Sequence, residues 1–282
     1  MRNSRSKKIT AWIAVVLFAI YAISLIFPFV WLFLSSLKQN DEFFMNNPFS
    51  FPRSWLFSNY IEAFDGLNVN GNGMFAMFFN SLWFSIGAAI LNVLFSAMTG
   101  YCAAKYRFLG RRLLYIVSLI IMVIPIVGSL PAQYRLFSVY GILNTPFILL
   151  SFIGGFGFGF VVFYGFFQGI PRDYSEAAFI DGAGHHRVFW TIILPQAMPM
   201  LFALGIIQMI SFWNDYSYPL VFIEDYPTLS SGLYEYQIDM TYKSNYPLFF
   251  AGVLLSMVPV LVLFGVFQNT IMENTYAGGL KG

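Results

Sequence analysis

The sequence predicts an all-α, polytopic membrane protein, and three observations carry that prediction. Of 282 residues, 58% are hydrophobic and only 10% charged, and the mean hydropathy is +0.68. A soluble domain carries about a quarter charged residues, and a water-soluble fold of this size has nowhere to hide 34 phenylalanines. The apolar residues also gather in six runs, each near the ~20 residues that a helix needs to cross the hydrocarbon. Finally, the runs are continuous rather than alternating, and lipid admits only helices or closed barrels.

The runs cover about 9–37, 74–104, 113–132, 146–170, 198–223 and 248–272, and residues 1–282 read as a single transmembrane domain. The first run begins like a signal peptide, but it is too long and no small-residue cleavage site follows it, so it reads as a retained span. Orientation follows from the basic residues near the span ends. Arg2, Arg5, Lys7 and Lys8 precede the first run, and Lys105, Arg107, Arg111 and Arg112 separate the second from the third. Arg172 and Arg187 separate the fourth from the fifth, and Lys281 lies in the tail. With six spans these fall on one side, which makes both termini and the 171–195 loop cytoplasmic. The opposite side has only Lys38, Arg53, Arg135 and Lys243 and is richer in acids, among them Asp41, Glu42, Glu224 and Asp225.

Pro28, Pro125 and Pro259 fall inside runs, where each removes a backbone hydrogen bond and can kink its helix. Such prolines read either as hinges or as the ordinary prolines of membrane helices. Gly155 and Gly159 give a Gly-x-x-x-Gly spacing that suggests close helix packing.

One stretch breaks the apolar pattern. "SEAAFIDGAGHHRVFWTIILP", residues 175–195, carries Glu176, Asp181, His185, His186 and Arg187. Pro171 stops the fourth run, and Asp173 with Glu176 three positions on reads as a capping box. Gly182 breaks the short helix that follows. A second piece places Val188, Phe189, Ile192 and Ile193 at helical spacing, and Pro195 resets the chain for the fifth span. An amphipathic linker lying on the membrane surface would also look like this. Against that stand Ala177 and Ala178 side by side, which let another surface approach closely. The acids Glu176 and Asp181 would moreover be repelled by an anionic leaflet.

At this point the residues carry a resemblance. Glu176-Ala177-Ala178, Gly182, Ile192 and Leu194-Pro195 resemble, with every spacing intact, the signature loop of ABC-importer permease subunits. The Asp181-Gly182-Ala183 extension is similar to that of sugar and oligosaccharide permeases. "FFNSLWFS" (78–85), "YCAAKYRFLGRR" (101–112), "SFWNDYSYPLVFI" (211–223) and the "AGGLKG" ending (277–282) resemble other segments of the maltose-permease-like (MalG-type) subunits. The resemblance covers almost the whole chain. Glu273-Asn274 departs from the basic residue and glycine that often follow the sixth span in that family.

The resemblance implies a coupling helix between spans 4 and 5 that inserts into a cleft of a separate ATPase, with Glu176 bonding to the cleft and Gly182 allowing the turn. It implies a second homologous permease subunit, two ATP-binding subunits that hold ATP and Mg²⁺, an extracytoplasmic solute-binding protein, and a bacterial cytoplasmic (inner) membrane location. The sequence contains no Walker A pattern, so the chain reads as a non-catalytic subunit without a cofactor of its own.

Polar groups within spans are functional candidates. Asn80 and Ser81 in the second run and Trp213, Asn214 and Asp215 in the fifth offer aromatic faces, amides and a carboxylate suited to a sugar path. Trp213, Tyr216 and Tyr218 also fit an interfacial aromatic belt, and Asn80 fits interhelical glue. The loop 224–247, with Tyr234, Tyr236 and Tyr242, is a candidate contact for the solute-binding protein. Adjacent His185 and His186 point about 100° apart on a helix and do not read as a metal pair. The single Cys102 excludes an internal disulfide. The alternative function is a self-sufficient secondary transporter or channel, for which internal repeats and paired intramembrane charges would speak.

Overall fold

The computed structural model describes the backbone of residues 2–45, 47–124, 128–243 and 245–277, and the side chains of 8, 10–45, 47–124, 128–239 and 245–269. Pro125, the side chains of Arg2, Arg5, Lys7, Tyr242, Lys243, Glu273 and Asn274, and Lys281 with the rest of the tail ending lie outside the described residues. The chain is mostly helical. In order it forms α1 (Arg2–Ser36), α2 (Asn40–Met45), α3 (Ser58–Gly66), two two-residue strands (Asn68–Val69 and Asn72–Gly73) and α4 (Met74–Lys105). Then come α5 (Arg111–Val123), α6 (Leu130–Tyr140), a 3₁₀ helix (Pro146–Phe152), α7 (Phe158–Gly169), α8 (Asp173–Ile180) and α9 (His185–Val188). A π turn (Phe189–Ile193), α10 (Leu194–Gln196), α11 (Met198–Asn214), α12 (Ser217–Phe222), α13 (Leu229–Lys243) and α14 (Tyr246–Ala277) complete it.

Among the described residues, three helices are long and apolar enough to cross a membrane: Thr10–Ser36, Met74–Lys105 and Tyr246–Asn269. His185–Gln196 with Met198–Asn214 make a fourth if a pair bent by 76° counts as one span. The expectation of one unbroken helix in each apolar run therefore needs correcting for the others. The run 113–132 ends as a helix at Val123, beyond which Ile124 is extended and Gly128 takes φ 85°. The run 146–170 divides into a 3₁₀ helix and a 12-residue α7, separated by a stretch that ends in Gly157 at φ 112°. Twelve residues rise only about 18 Å, short of the ~30 Å hydrocarbon. The run 198–223 is likewise interrupted, after Asn214.

The chain divides into two compact units. The first comprises 1–69 and 233–258. Within it the last carbonyls of α1 have no helical partner of their own, and the amide of Asn59 donates to the carbonyls of Ser36 (2.7 Å) and Lys38 (3.0 Å). Lys38 is 1% exposed and its ammonium donates to the Pro48 carbonyl at 2.9 Å. Burial lowers its pKa from the ordinary 10.5, against the opposing charge of Glu42. Trp31 packs on Phe43, Phe49 and Phe250.

The second unit comprises 70–232 and 259–282. Its axis is α4, which packs on α7 and α11 through a stripe of small buried residues, Ala88, Ala89, Ser96, Ala97, Gly100, Ala103 and Ala104. The backbone before α7 approaches closely enough that a Cβ on Gly155 would lie 2.3 Å from Thr99 Cγ2, and one on Gly159 3.1 Å from Ser96. Both glycines of the Gly-x-x-x-Gly spacing thus lie close against α4, but only Gly159 is helical; Gly155 belongs to the irregular stretch before α7, so the spacing does not mark one face of a helix. The Thr99 hydroxyl donates to the Gly155 carbonyl at 2.7 Å.

Candidate functional site

The polar stretch between α7 and α11 folds as two short helical pieces around Gly182. Arg172 already has helical angles (φ −69°, ψ −23°) and no side chain caps the first turn. The predicted capping box is therefore absent: Asp173 lies inside the helix, whereas a capping residue must be extended. Asp173 and Glu176 instead stand in the first turn of α8, where the partial positive charge of the helix end favours acids. At the other end, Gly182 takes φ 81°. The Gly182 N–H donates to the Phe179 carbonyl (3.0 Å) and the Ala183 N–H to the Ala178 carbonyl (2.9 Å). This is a Schellman termination, in which the left-handed residue is glycine because it lacks a Cβ.

The element has two faces. Ala178, Val188, Phe189, Ile193, Leu194 and Ala197 are buried in one cluster with Val93, Ala97, Tyr101 and Ala104 of α4 and Phe163 and Phe167 of α7. Ile192 and Ala183 pack on its edge. Glu176, Ala177, Asp181 and Gly182 are exposed, beside Ile180, which is 86% exposed. A cleft of about 150 Å³ separates α8 from the end of α4, lined by Lys105, Tyr106, Arg172, Ser175, Glu176 and Phe179. The Lys105 ammonium donates to the Ile170 carbonyl.

Pro195 does not reset the chain as expected. A helical turn runs through it, Leu194–Gln196, and the 76° bend comes after it, at Ala197. The π turn before it sends the Leu194 N–H to the Phe189 carbonyl. The Gln196 side-chain amide supplies a donor to the Ile192 carbonyl at 2.8 Å.

The second group of predicted residues lies at the other end of α4. The Asn80 amide donates to the Pro227 carbonyl at 3.0 Å. The Ser81 hydroxyl donates to the Met77 carbonyl and accepts the Leu229 N–H at 2.8 Å. Trp213 is 4% exposed, edge-on to Phe78 at 5.9 Å. The Asn214 amide donates to the Ile210 carbonyl, and the Asp215 carboxylate accepts the N–H groups of Ser217 (2.9 Å) and Tyr218 (3.2 Å). Tyr218 packs on Phe84 and Phe152 in a buried cluster, whereas Tyr216 is 42% exposed. Both α4 and α11 are tied here to residues 227–231, since the Ser230 hydroxyl also donates to the Asp215 carbonyl.

Sequence reasoning missed that strap. Its signal was Thr228-x-x-Ser231: Thr228 N–H donates to the Ser231 hydroxyl (2.9 Å) and Ser231 N–H to the Thr228 hydroxyl (3.3 Å). This reciprocal cap opens α13.

Comparison with known proteins decides the lineage. Residues 92–271 match the family described as the binding-protein-dependent transport system inner membrane component. The chain belongs to this family. It is 33% identical over 270 residues to a diacetylchitobiose uptake system permease protein of Streptomyces coelicolor, covering 94% of this chain and 87% of that one. It is 31% identical over 284 residues to an arabinooligosaccharides transport system permease protein of Halalkalibacterium halodurans, covering 99% of both. The fold resembles that of a bacterial ABC transporter involved in import of the acidic polysaccharide alginate, with TM-score 0.74 and 23% identity over 94% of this chain and 97% of that one. The family's permeases are non-catalytic membrane components, which sets aside the self-sufficient transporter. The matched span takes in the 171–195 loop and α11.

Proposed function

We propose that this chain is the membrane permease subunit of an ATP-driven importer that carries a sugar or oligosaccharide into the cytoplasm. The observation that carries the reading is the two-faced element around Gly182. Its apolar side is sunk into α4 and α7, while Glu176, Ala177 and Asp181 are exposed on the other side. A face of that kind fits a cleft on a separate ATPase, and α8 is its coupling helix. Inward and outward states are then biased at two sites, by substrate in the membrane and by ATP on the partner.

The residues assigned to coupling are Glu176, Ala177, Ala178, Asp181, Gly182, Ala183, Ile192, Leu194 and Pro195. ATP and Mg²⁺ belong to the ATP-binding subunits, two per transporter, which also contains a second homologous permease and an extracytoplasmic solute-binding protein. Six spans place both termini in the cytoplasm of a bacterium, with the chain multi-pass in its inner membrane. The run 113–132, which opens with α5, supplies the third crossing, and the 3₁₀–α7 pair within 146–170 the fourth. The names of the relatives, which concern diacetylchitobiose, arabinooligosaccharides and maltodextrin, support the carbohydrate class.

Asn80, Ser81, Trp213, Asn214 and Asp215 border the substrate path. Asn80 and Ser81 act there through the strap at 227–231, which their hydrogen bonds hold. The test is uptake of labelled oligosaccharides by cells that carry the complete transporter with Glu176→Ala or Gly182→Val. Loss of uptake with normal membrane insertion and normal recovery of the ATPase with the tagged chain is expected. Normal uptake by both variants overturns the coupling role.

A further inference from the structure

We infer that His185 is a positioning residue that ties the exposed helix α8 to the end of α4, so that a push on α8 reaches α4 directly. This inference rests on the reading of α8 as a coupling helix. On its own, α8 reaches the buried cluster of its unit through the small side chain of Ala178 alone. Of its eight residues only Ser175 and Ala178 are buried. It is followed by Gly182 at φ 81° and by Gly184, and neither glycine has an atom within 4 Å of where a Cβ would stand. Such a joint, between two short helices, absorbs movement unless something spans it.

His185 spans it. Its Nδ1 lies 2.9 Å from the Tyr106 hydroxyl. Its ring stands edge-on to Phe179 of α8 at 4.8 Å and to Tyr106 at 5.4 Å. Tyr106 is the residue that ends α4, its N–H donating to the Cys102 carbonyl at 3.0 Å. From Tyr106 the ring contacts continue to Tyr101 at 5.8 Å, and from Tyr101 to Phe167 of α7 and Phe189 of the π turn. One chain of rings thus leads from exposed α8 into the buried cluster. The route to α11 along the backbone, by contrast, passes the 76° bend.

The measurement is deuterium exchange on the intact transporter in nanodiscs, with and without Mg·ATP, for the wild type, His185→Ala, Tyr106→Phe and the double variant. Tyr106→Phe removes a single hydroxyl and leaves the fold. In the wild type, Mg·ATP changes exchange both in α8 and at residues 101–106. Each single variant keeps the α8 response and loses that at 101–106, and the double variant is no worse than either single one. Without nucleotide, α8 amides exchange about two- to tenfold faster in the variants, as the loss of one hydrogen bond implies. An ATP response at 101–106 that survives in both variants overturns the inference, as does loss of the α8 response in either, which would make the contact one of docking. Absence of the α8 response in the wild type overturns the coupling reading itself.

Discussion

The N–H of Ala183 donates to the carbonyl of Ala178 at 2.9 Å, and this one bond closes α8 only because Gly182 between them sits at φ 81°. A side chain at 182 meets open space, so the requirement is conformational and not steric. A left-handed residue with a Cβ costs about 1–2 kcal/mol, and asparagine bears that cost better than alanine. Uptake should therefore fall in the order Gly, Asn, Ala, Val at position 182. Equal uptake by the Asn and Ala variants would show that backbone angle is not what the position supplies.

Gly155 makes the opposite kind of demand. A Cβ there would stand 2.3 Å from Thr99 Cγ2 and 2.5 Å from its hydroxyl. Gly155→Ala should destabilise the chain by about 1–3 kcal/mol through overpacking, read as a lower thermal midpoint in detergent. Thr99→Ala in the same chain should recover part of the loss. Gly165, in α7 with nothing near it, should accept alanine with no loss, because alanine is the better helix former by about 1 kcal/mol.

Ser81→Ala tests the strap at the far end of α4. The Leu229 N–H that Ser81 accepts belongs to a residue 2% exposed. An unsatisfied buried donor costs about 1–3 kcal/mol. Faster amide exchange across 227–231 is expected, with exchange in α8 unchanged. Protection equal to wild type at 227–231 would remove Ser81 from the strap.

How much of this was legible beforehand depends on what a residue pattern encodes. Hydropathy located the long helices α1, α4 and α14, because a continuous apolar run has one solution in lipid. The spacing from Glu176 to Pro195 located the two-faced element, and Gly182 its turn. Where the helices end, at Val123 and Phe152, was not legible from hydropathy, because Ile124 and Ile153, which leave the helix, are as apolar as the residues before them. The capping box was assigned to Asp173 and Glu176 from spacing, but spacing cannot tell that Arg172 is already helical. The same motif in Thr228 and Ser231 went unseen because Ser231 replaces the usual acid. The hydrogen bonds of Asn80 and Ser81 to residues nearly 150 positions away are tertiary and leave no local trace.

Lys38 gives a prediction in pH. Burial holds its pKa below 10.5, so between the folded value and 10.5 the unfolded chain binds more protons than the folded one. Stability then rises with pH across that window; below it the lysine is charged in both states and the burial cost is constant. The thermal midpoint of the wild type relative to Lys38→Met should climb as the pH rises from neutral toward the ordinary lysine pKa of 10.5. A constant difference across that range would contradict the burial of the ammonium.

The central claim is that the face bearing Glu176 and Ile180 is where a separate ATPase meets this chain. Ile180, at 86% exposure, is the place to ask. With Cys102, the sole native cysteine, replaced by serine, Ile180→Cys should cross-link through a short bifunctional maleimide to the ATP-binding subunit of the assembled transporter, and Mg·ATP should change the yield. An intact, transporting complex in which position 180 forms no adduct with that subunit, in any nucleotide state, would contradict the account.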